Sequence, residues 1–188
     1  MVIVGAGEAG TRAALTLRRQ NYSGPVTLLS AENRPPYERP PLARELMYGT
    51  GEAAAPRPIV PLNDLAAEHI DFRPGISVTR IDRDLKRVRT SDGNAYSYDC
   101  LLLATGATTH RLPLSGAASS RFHTFRTFDD AVALRQRLEP GTRVAVIGAG
   151  FIGLEFAAAA RHHGADVTVI ESQPRILGRL MASEIVAR

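Results

Sequence analysis

The sequence predicts an α/β chain built from two parallel strand–helix–strand units, the second incomplete, with a small antiparallel β-meander between them. Three observations predict it. Val2-Ile3-Val4-Gly5-Ala6-Gly7-Glu8-Ala9-Gly10 is echoed by Ala145-Val146-Ile147-Gly148-Ala149-Gly150-Phe151-Ile152-Gly153, so an apolar β-type run leads into G-x-G-x-x-G twice. Each copy continues into a helical stretch and then a second β-branched run, Val26–Leu29 or Val167–Ile170. Between the copies, short β-type runs are separated by turn residues.

In chain order, Val2–Val4 is the first strand, and Thr11–Arg19 is a helix whose Ala13 and Leu17 can pack on a sheet. Val26–Leu29 is the next strand. Ile76–Asp82, Lys86–Ser91 and Tyr96–Leu103 read as the meander, with Ser91-Asp92-Gly93-Asn94 as a turn. Tyr98–Leu103 ends in the small residues Ala104-Thr105-Gly106. Thr108–Ser120, rich in Gly, Pro and Ser, reads as a linker between domains at 1–107 and 108–188. Asp129 and Asp130 precede a helix over Ala131–Leu138, where their charge suits the helix N-terminus. Leu154–His162 and Val167–Ile170 complete the second unit, with Phe156 and the alanines at 157–160 facing its sheet.

A Gly-rich turn between a strand and a helix is a site for a pyrophosphate. The first glycine (Gly5, Gly148) permits the tight turn and the second (Gly7, Gly150) lets backbone approach the anion. The third (Gly10, Gly153) lets the helix pack closely, and the helix N-terminus supplies N–H donors. Both copies sit in full strand–turn–helix–strand context, so the sequence implies two Rossmann-like folds and two dinucleotides. Glu171 ends the second strand of the second unit, where a carboxylate accepts from ribose hydroxyls and repels a 2′-phosphate, favouring NAD over NADP despite nearby Arg175. In the first unit that position is Ser30, and the nearest carboxylate is Glu32, either a ribose ligand or a solvated loop residue.

Composition narrows the class. The chain has 188 residues, 44% apolar and 22% charged, enough for one large or two small domains. One cysteine, Cys100, excludes an internal disulfide or Cys-x-x-Cys site and reads as an inert thiol buried in an apolar strand. No run is long and apolar enough to span a bilayer, and the first residues lack a signal-peptide pattern, so the expectation is a soluble, cytoplasmic protein not bound to membrane. The net charge is +4, but the basic residues, all arginine except Lys86, are scattered and not interleaved with aromatics, so nucleic acid is not the expected partner. None of the 5 histidines suggests a metal or catalytic role; His162-His163 lies at a predicted helix end.

Taken together, Gly5–Gly10, Pro36-Tyr37-Glu38-Arg39-Pro40-Pro41-Leu42, Ala104-Thr105-Gly106, Arg126-Thr127 and Gly148–Glu155 resemble the FAD-dependent NAD(P)H reductases of the ferredoxin- and rubredoxin- (putidaredoxin-) reductase type, within the pyridine nucleotide-disulphide oxidoreductase superfamily. The resemblance runs the whole length. It implies FAD in the first fold, contacted by Gly5, Gly7, Ala9, Gly10, Glu32, Arg39, Arg44, Val78, Ala104, Thr105, Gly106 and Arg126. It implies the nicotinamide cofactor in the second, at Gly148, Gly150, Phe151, Ile152, Gly153 and Glu171. Arg44 stands where the family usually has lysine, which keeps the charge but changes the donor geometry. Arg34–Leu46 holds no cysteine pair of the kind the disulphide reductases carry there.

The expected function is therefore hydride transfer from NADH to FAD, then single-electron transfer to a ferredoxin or rubredoxin-like protein, with Arg44 and Glu155 as the candidate catalytic pair beside the flavin. The alternatives are an NADH oxidase, a nitrite-reductase-type flavoprotein, or a non-catalytic dinucleotide-binding fragment. The resemblance implies a protein about twice as long, and the expectation is that these 188 residues alone do not turn over.

Overall fold

The computed structural model describes residues 1–49, 56–110, 112–113, 121–178 and 181–182. They divide into two compact units: Met1–Glu38 with Arg57–Ala107, and Arg39–Pro56 with Thr108–Arg188. Most of the linker expected over Thr108–Ser120 lies outside the described residues.

In the first unit, β1 (Val2–Val4) pairs in parallel with β2 (Val26–Leu29) and with β7 (Leu101–Leu103), and β2 pairs with β3 (Ile70–Arg73). The sheet order is β3-β2-β1-β7. Because side chains alternate across a strand, the sheet has two apolar faces. Ile3, Val26 and Leu28 pack with Ala14 and Leu15 of α1 (Glu8–Arg19) and Leu65 of α3 (Leu62–Ala67). Val2, Val4 and Leu29 pack with Val88 of the meander. Both faces are thus covered, as a parallel sheet requires.

The meander is β4 (Val78–Asp82), β5 (Arg87–Thr90) and β6 (Ala95–Ser97), antiparallel in that order. Expected as one strand, Tyr96–Leu103 divides: Ala95–Ser97 stays in the meander while Leu101–Leu103 joins the parallel sheet beside β1. At this edge of the sheet Leu101 and Leu102 are partly buried on its two faces, while Leu103 is exposed. Cys100 lies just before β7 and is exposed, not buried as expected. There its carbonyl accepts from the Val2 N–H while the thiol faces outward.

In the second unit, β8 (Arg143–Ile147) and β9 (Asp166–Ile170) pair in parallel over five residue pairs, and α5 (Phe151–His162) packs on them. Buried alanines, Ala149, Ala157, Ala159, Ala160 and Ala165, allow that close packing. A 3₁₀ turn (Pro40–Ala43), the short α2 (Glu45–Tyr48) and α4 (Phe128–Arg135) complete the unit. Three helices begin earlier than the sequence suggests. α1 and α5 start directly after their second glycine, so the third lies within the first turn. α4 starts at Phe128, not Ala131, because Thr127 and Asp130 form a reciprocal capping box. Among the described residues no helix is long and apolar enough to cross a membrane.

Candidate functional site

The first glycine turn is held by backbone approaches that leave no room for side chains. Gly5 has φ +107°, and a Cβ on it would lie 2.1 Å from the Ala104 carbonyl oxygen. Its N–H donates to Leu29 O at 2.8 Å, and the Ala104 N–H donates to Val4 O at 2.8 Å. The structure therefore brings Ala104-Thr105-Gly106 against the glycine turn at the ends of β1 and β7. A Cβ on Gly10 would fall 1.8 Å from the Gly5 carbonyl oxygen. Gly7 differs: a Cβ there would meet nothing within 4 Å.

The second turn repeats part of this geometry, although a Cβ on Gly148 would meet nothing within 4 Å. Gly148 has φ +103°, and its N–H donates to Ile170 O at 2.8 Å. A Cβ on Gly153 would lie 2.1 Å from Gly148 O, whereas one on Gly150 would meet nothing within 4 Å. The packing of the protein thus explains the third glycine of each turn but not the second, whose open space suits an external group.

The helix ends point the same way. α1 and α5 are N-capped by Gly7 and Gly150 and receive no side-chain cap, while α4 is capped by its own Thr127 and Asp130. Uncapped first-turn N–H groups with the positive end of the helix dipole behind them suit a phosphate. Ala9 is exposed in the first turn of α1, and Phe151 and Ile152 are half-exposed in that of α5. A pyrophosphate-bearing dinucleotide therefore fits both turns.

The two units differ in their acidic residues. Glu171 accepts from the Ala149 N–H inside the second turn at 2.8 Å, and its other oxygen accepts from the Gln173 N–H at 2.9 Å. These backbone donors, Ala149 first, hold its carboxyl below the usual glutamate range, so it is ionised at neutral pH. Oε1 also accepts from Ser172 Oγ at 3.4 Å, so the lone pair left for a further donor is on Oε2. In the first unit Ser30 Oγ donates to Glu32 O at 3.1 Å, and the half-buried Glu32 carboxylate accepts from Tyr37 Oη at 2.5 Å.

Arg39, Arg44, Arg126 and Glu155 lie in the second unit. Arg39 Nη1 donates to Arg126 O at 3.0 Å, and the Arg126 N–H donates to Asp130 Oδ2 at 2.9 Å. Arg44 Nε lies 3.6 Å from Glu155 Oε1, the former more exposed than the latter. Val78 packs against the Val2–Val4–Leu29–Val88 cluster. A cavity of about 980 Å³ lies along β8 and the start of α5, lined by Val144, Val146, Phe151 and Phe156 among others. Of the predicted site residues, Gly148, Gly150, Phe151, Ile152 and Gly153 line it, whereas Arg44, Glu155 and Glu171 do not. Among the described residues no cluster of three or more His, Cys, Asp or Glu side chains is placed to hold a metal.

Sequence reading missed Asp130 and Tyr37 as positioning residues. The pattern Thr127-x-x-Asp130 could have shown the first; the reach of Tyr37 to Glu32 needs the folded loop.

The pyridine nucleotide-disulphide oxidoreductase family pattern matches residues 1–188. The chain is 43% identical over 185 residues to rhodocoxin reductase from Rhodococcus erythropolis, covering 97% of this chain and 43% of that protein. It is 41% identical over 182 residues to a rubredoxin-NAD(+) reductase from Pseudomonas putida, covering 96% and 47% respectively. Among solved structures, a ferredoxin reductase from Rhodopseudomonas palustris superposes with TM-score 0.93 at 36% identity over 99% of this chain and 46% of that one. The chain thus spans less than half the length of these relatives. A pattern matched from end to end, carried by two glycine turns of the same build, shows that the chain belongs to the pyridine nucleotide-disulphide oxidoreductase family.

Proposed function

We propose that this chain is part of a cytoplasmic reductase that takes electrons from NADH and passes them through FAD to a small iron–sulphur protein of the ferredoxin or rubredoxin kind. The observation carrying this is the pair of uncapped glycine turns, each with open space at its second glycine. The names of the relatives support the acceptor class. Residues 1–107 supply the FAD fold and 108–188 the nicotinamide fold, with the 3₁₀ turn and α2 packed on α4 and α5 of the second unit.

When bound, FAD would supply hydride acceptance from NADH and single-electron release. The chain supplies position and charge. The first-turn N–H groups of α1 and α5 hold pyrophosphates, and Glu32 and Glu171 accept from ribose hydroxyls. Arg44, held toward Glu155, would supply a cation beside the flavin when it is bound. The test is to release the cofactor from the full-length protein, chromatograph it, and assay NADH-dependent reduction of a ferredoxin. FAD with turnover supports the reading; FMN, no flavin, or electrons passing only to oxygen contradicts it.

Three substitutions follow. Glu171→Ala removes the ribose acceptor and the brace on Ala149, so kcat/KM for NADH falls about tenfold, the equivalent of one hydrogen bond of roughly 1.4 kcal/mol. NADPH kinetics change less, narrowing the NADH preference. An unchanged ratio of the two kcat/KM values counts against a ribose contact. Glu155→Ala slows flavin reduction by NADH in stopped flow while leaving FAD content near normal, because the phosphate-binding turns are untouched. Arg44→Lys is the mildest change at its position, since it retains the charge. Unchanged reduction in Glu155→Ala returns that residue to complementing the α5 dipole.

A further inference from the structure

The 3₁₀ turn and α2 carry Arg44, which is the N-cap of α2 and ends the turn. A four-residue helix cannot hold itself in place. What fixes it is packing of Leu46 and Met47, the latter fully buried, and two hydrogen bonds to its C-terminal carbonyls from distant helix ends. His163, the C-cap of α5, places Nε2 2.6 Å from Met47 O. The acceptor is a carbonyl, so Nε2 carries the proton. Arg135, the last residue of α4, donates from Nη2 to Gly49 O at 3.0 Å. The ring of His162 lies 5.2 Å from that of Tyr48 and 5.3 Å from that of His163. These contacts join α2 to the far end of α5, the helix that carries Glu155 near its start.

The Arg44–Glu155 pair cannot supply this order itself. At 3.6 Å and with both side chains partly exposed it is a weak contact. Arg44 meets Glu155 only if α2 is already placed, and the groups that place it are His163 and Arg135.

We infer that His163 is a positioning residue: by donating to the Met47 carbonyl it sets α2 on α5 so that Arg44 reaches Glu155. The inference rests on the reading of Arg44 and Glu155 as the charged pair beside the flavin. It assigns to His163 a hydrogen-bonding role that requires no metal and no charge change.

The test compares His163→Ala, His163→Gln and His163→Asn in the full-length flavoprotein, with and without Glu155→Ala. Gln can carry an amide donor to the position of Nε2; Asn is too short. In stopped flow at saturating NADH, His163→Ala and His163→Asn slow flavin reduction about fivefold with apparent NADH affinity unchanged within twofold, and His163→Gln stays within twofold of the parent. In the Glu155→Ala background, loss of His163 costs less than twofold, since its effect runs through that pair. A second readout needs no turnover. The Tyr48 amide, which donates to Arg44 O at 3.2 Å, exchanges at least tenfold faster in His163→Ala, while the Ala104 amide in β7's extension is unchanged. If His163→Ala fails to retain flavin, the Gln–Asn comparison decides. Equal slowing in the Glu155→Ala background, no rescue by Gln, or unaltered Tyr48 exchange overturns the inference while leaving the proposed function intact. A parent protein whose flavin NADH cannot reduce overturns both.

Discussion

Gly10→Ala is expected to cost the first unit most of its stability. The added Cβ would sit 1.8 Å from the Gly5 carbonyl oxygen, with the Gly5 carbonyl carbon at 3.0 Å. Both are backbone atoms of the turn itself, so no flexible side chain can yield. Gly5 cannot retreat either, because its own Cβ position faces the Ala104 carbonyl oxygen at 2.1 Å. Relief therefore requires α1 to move away from β1, opening the packing of Ala14 and Leu15 on Ile3 and Leu28. Overpacking of this kind costs on the order of 3 kcal/mol or more, a large share of the stability of a domain. Thermal unfolding followed by circular dichroism should show a clearly lower midpoint and loss of bound flavin together. A midpoint equal to that of the parent would mean that the turn is looser than this packing implies.

Gly7→Ala and Gly150→Ala are expected to do the reverse: leave the fold and remove the ligand. Neither Cβ would meet a protein atom within 4 Å, and neither glycine has a positive φ. Replacing a glycine N-cap by alanine costs about 0.5–1 kcal/mol, so melting falls by only a few degrees. The methyl group instead occupies the space through which a pyrophosphate approaches the first-turn N–H groups. FAD retention is expected to fall at least tenfold in Gly7→Ala, and NADH affinity by a similar factor in Gly150→Ala with FAD retained, each about 1.4 kcal/mol or more. Isothermal titration of each variant separates the two. Loss of both ligands from either variant would contradict the assignment of one dinucleotide to each turn.

The parts of this molecule that were legible in the sequence are the local and repeated ones. Both strand–turn–helix–strand units could be read because each is encoded within a few residues by spacing and by glycine, and β2 is observed over the residues expected. The helix starts were misplaced because a glycine within G-x-G-x-x-G reads as a break. In the fold the second glycine is the cap and the third is helical. The fate of Leu101–Leu103 was hidden for a different reason. An apolar run of three residues does not say which strand it will join, and here its neighbour is β1, far away in sequence. The same holds for Cys100, whose exposure follows from where the strand begins.

The site shows the same division. Glycines and the acidic strand end are recognised by type and position, and Glu171 stands beside the second turn that spacing suggested. Its hydrogen bond to Ala149 was not foreseen, because a carboxylate at a strand end can serve ligand, backbone or both. Arg39 and Arg126 are drawn together by a guanidinium-to-carbonyl contact that no pattern announces. The links from His163 and Arg135 to α2 join residues more than eighty positions apart. Only packing brings them together.

The most direct test of the central claim, that two glycine turns hold two different dinucleotides between which a hydride passes, is anaerobic mixing of the full-length flavoprotein with one equivalent of NADH. The expected result is loss of the oxidised flavin absorbance in a single turnover, slowed at least tenfold by Gly150→Ala even though the flavin remains bound. Full-rate reduction in Gly150→Ala, or an oxidised spectrum that NADH leaves unchanged in the parent protein, would contradict it.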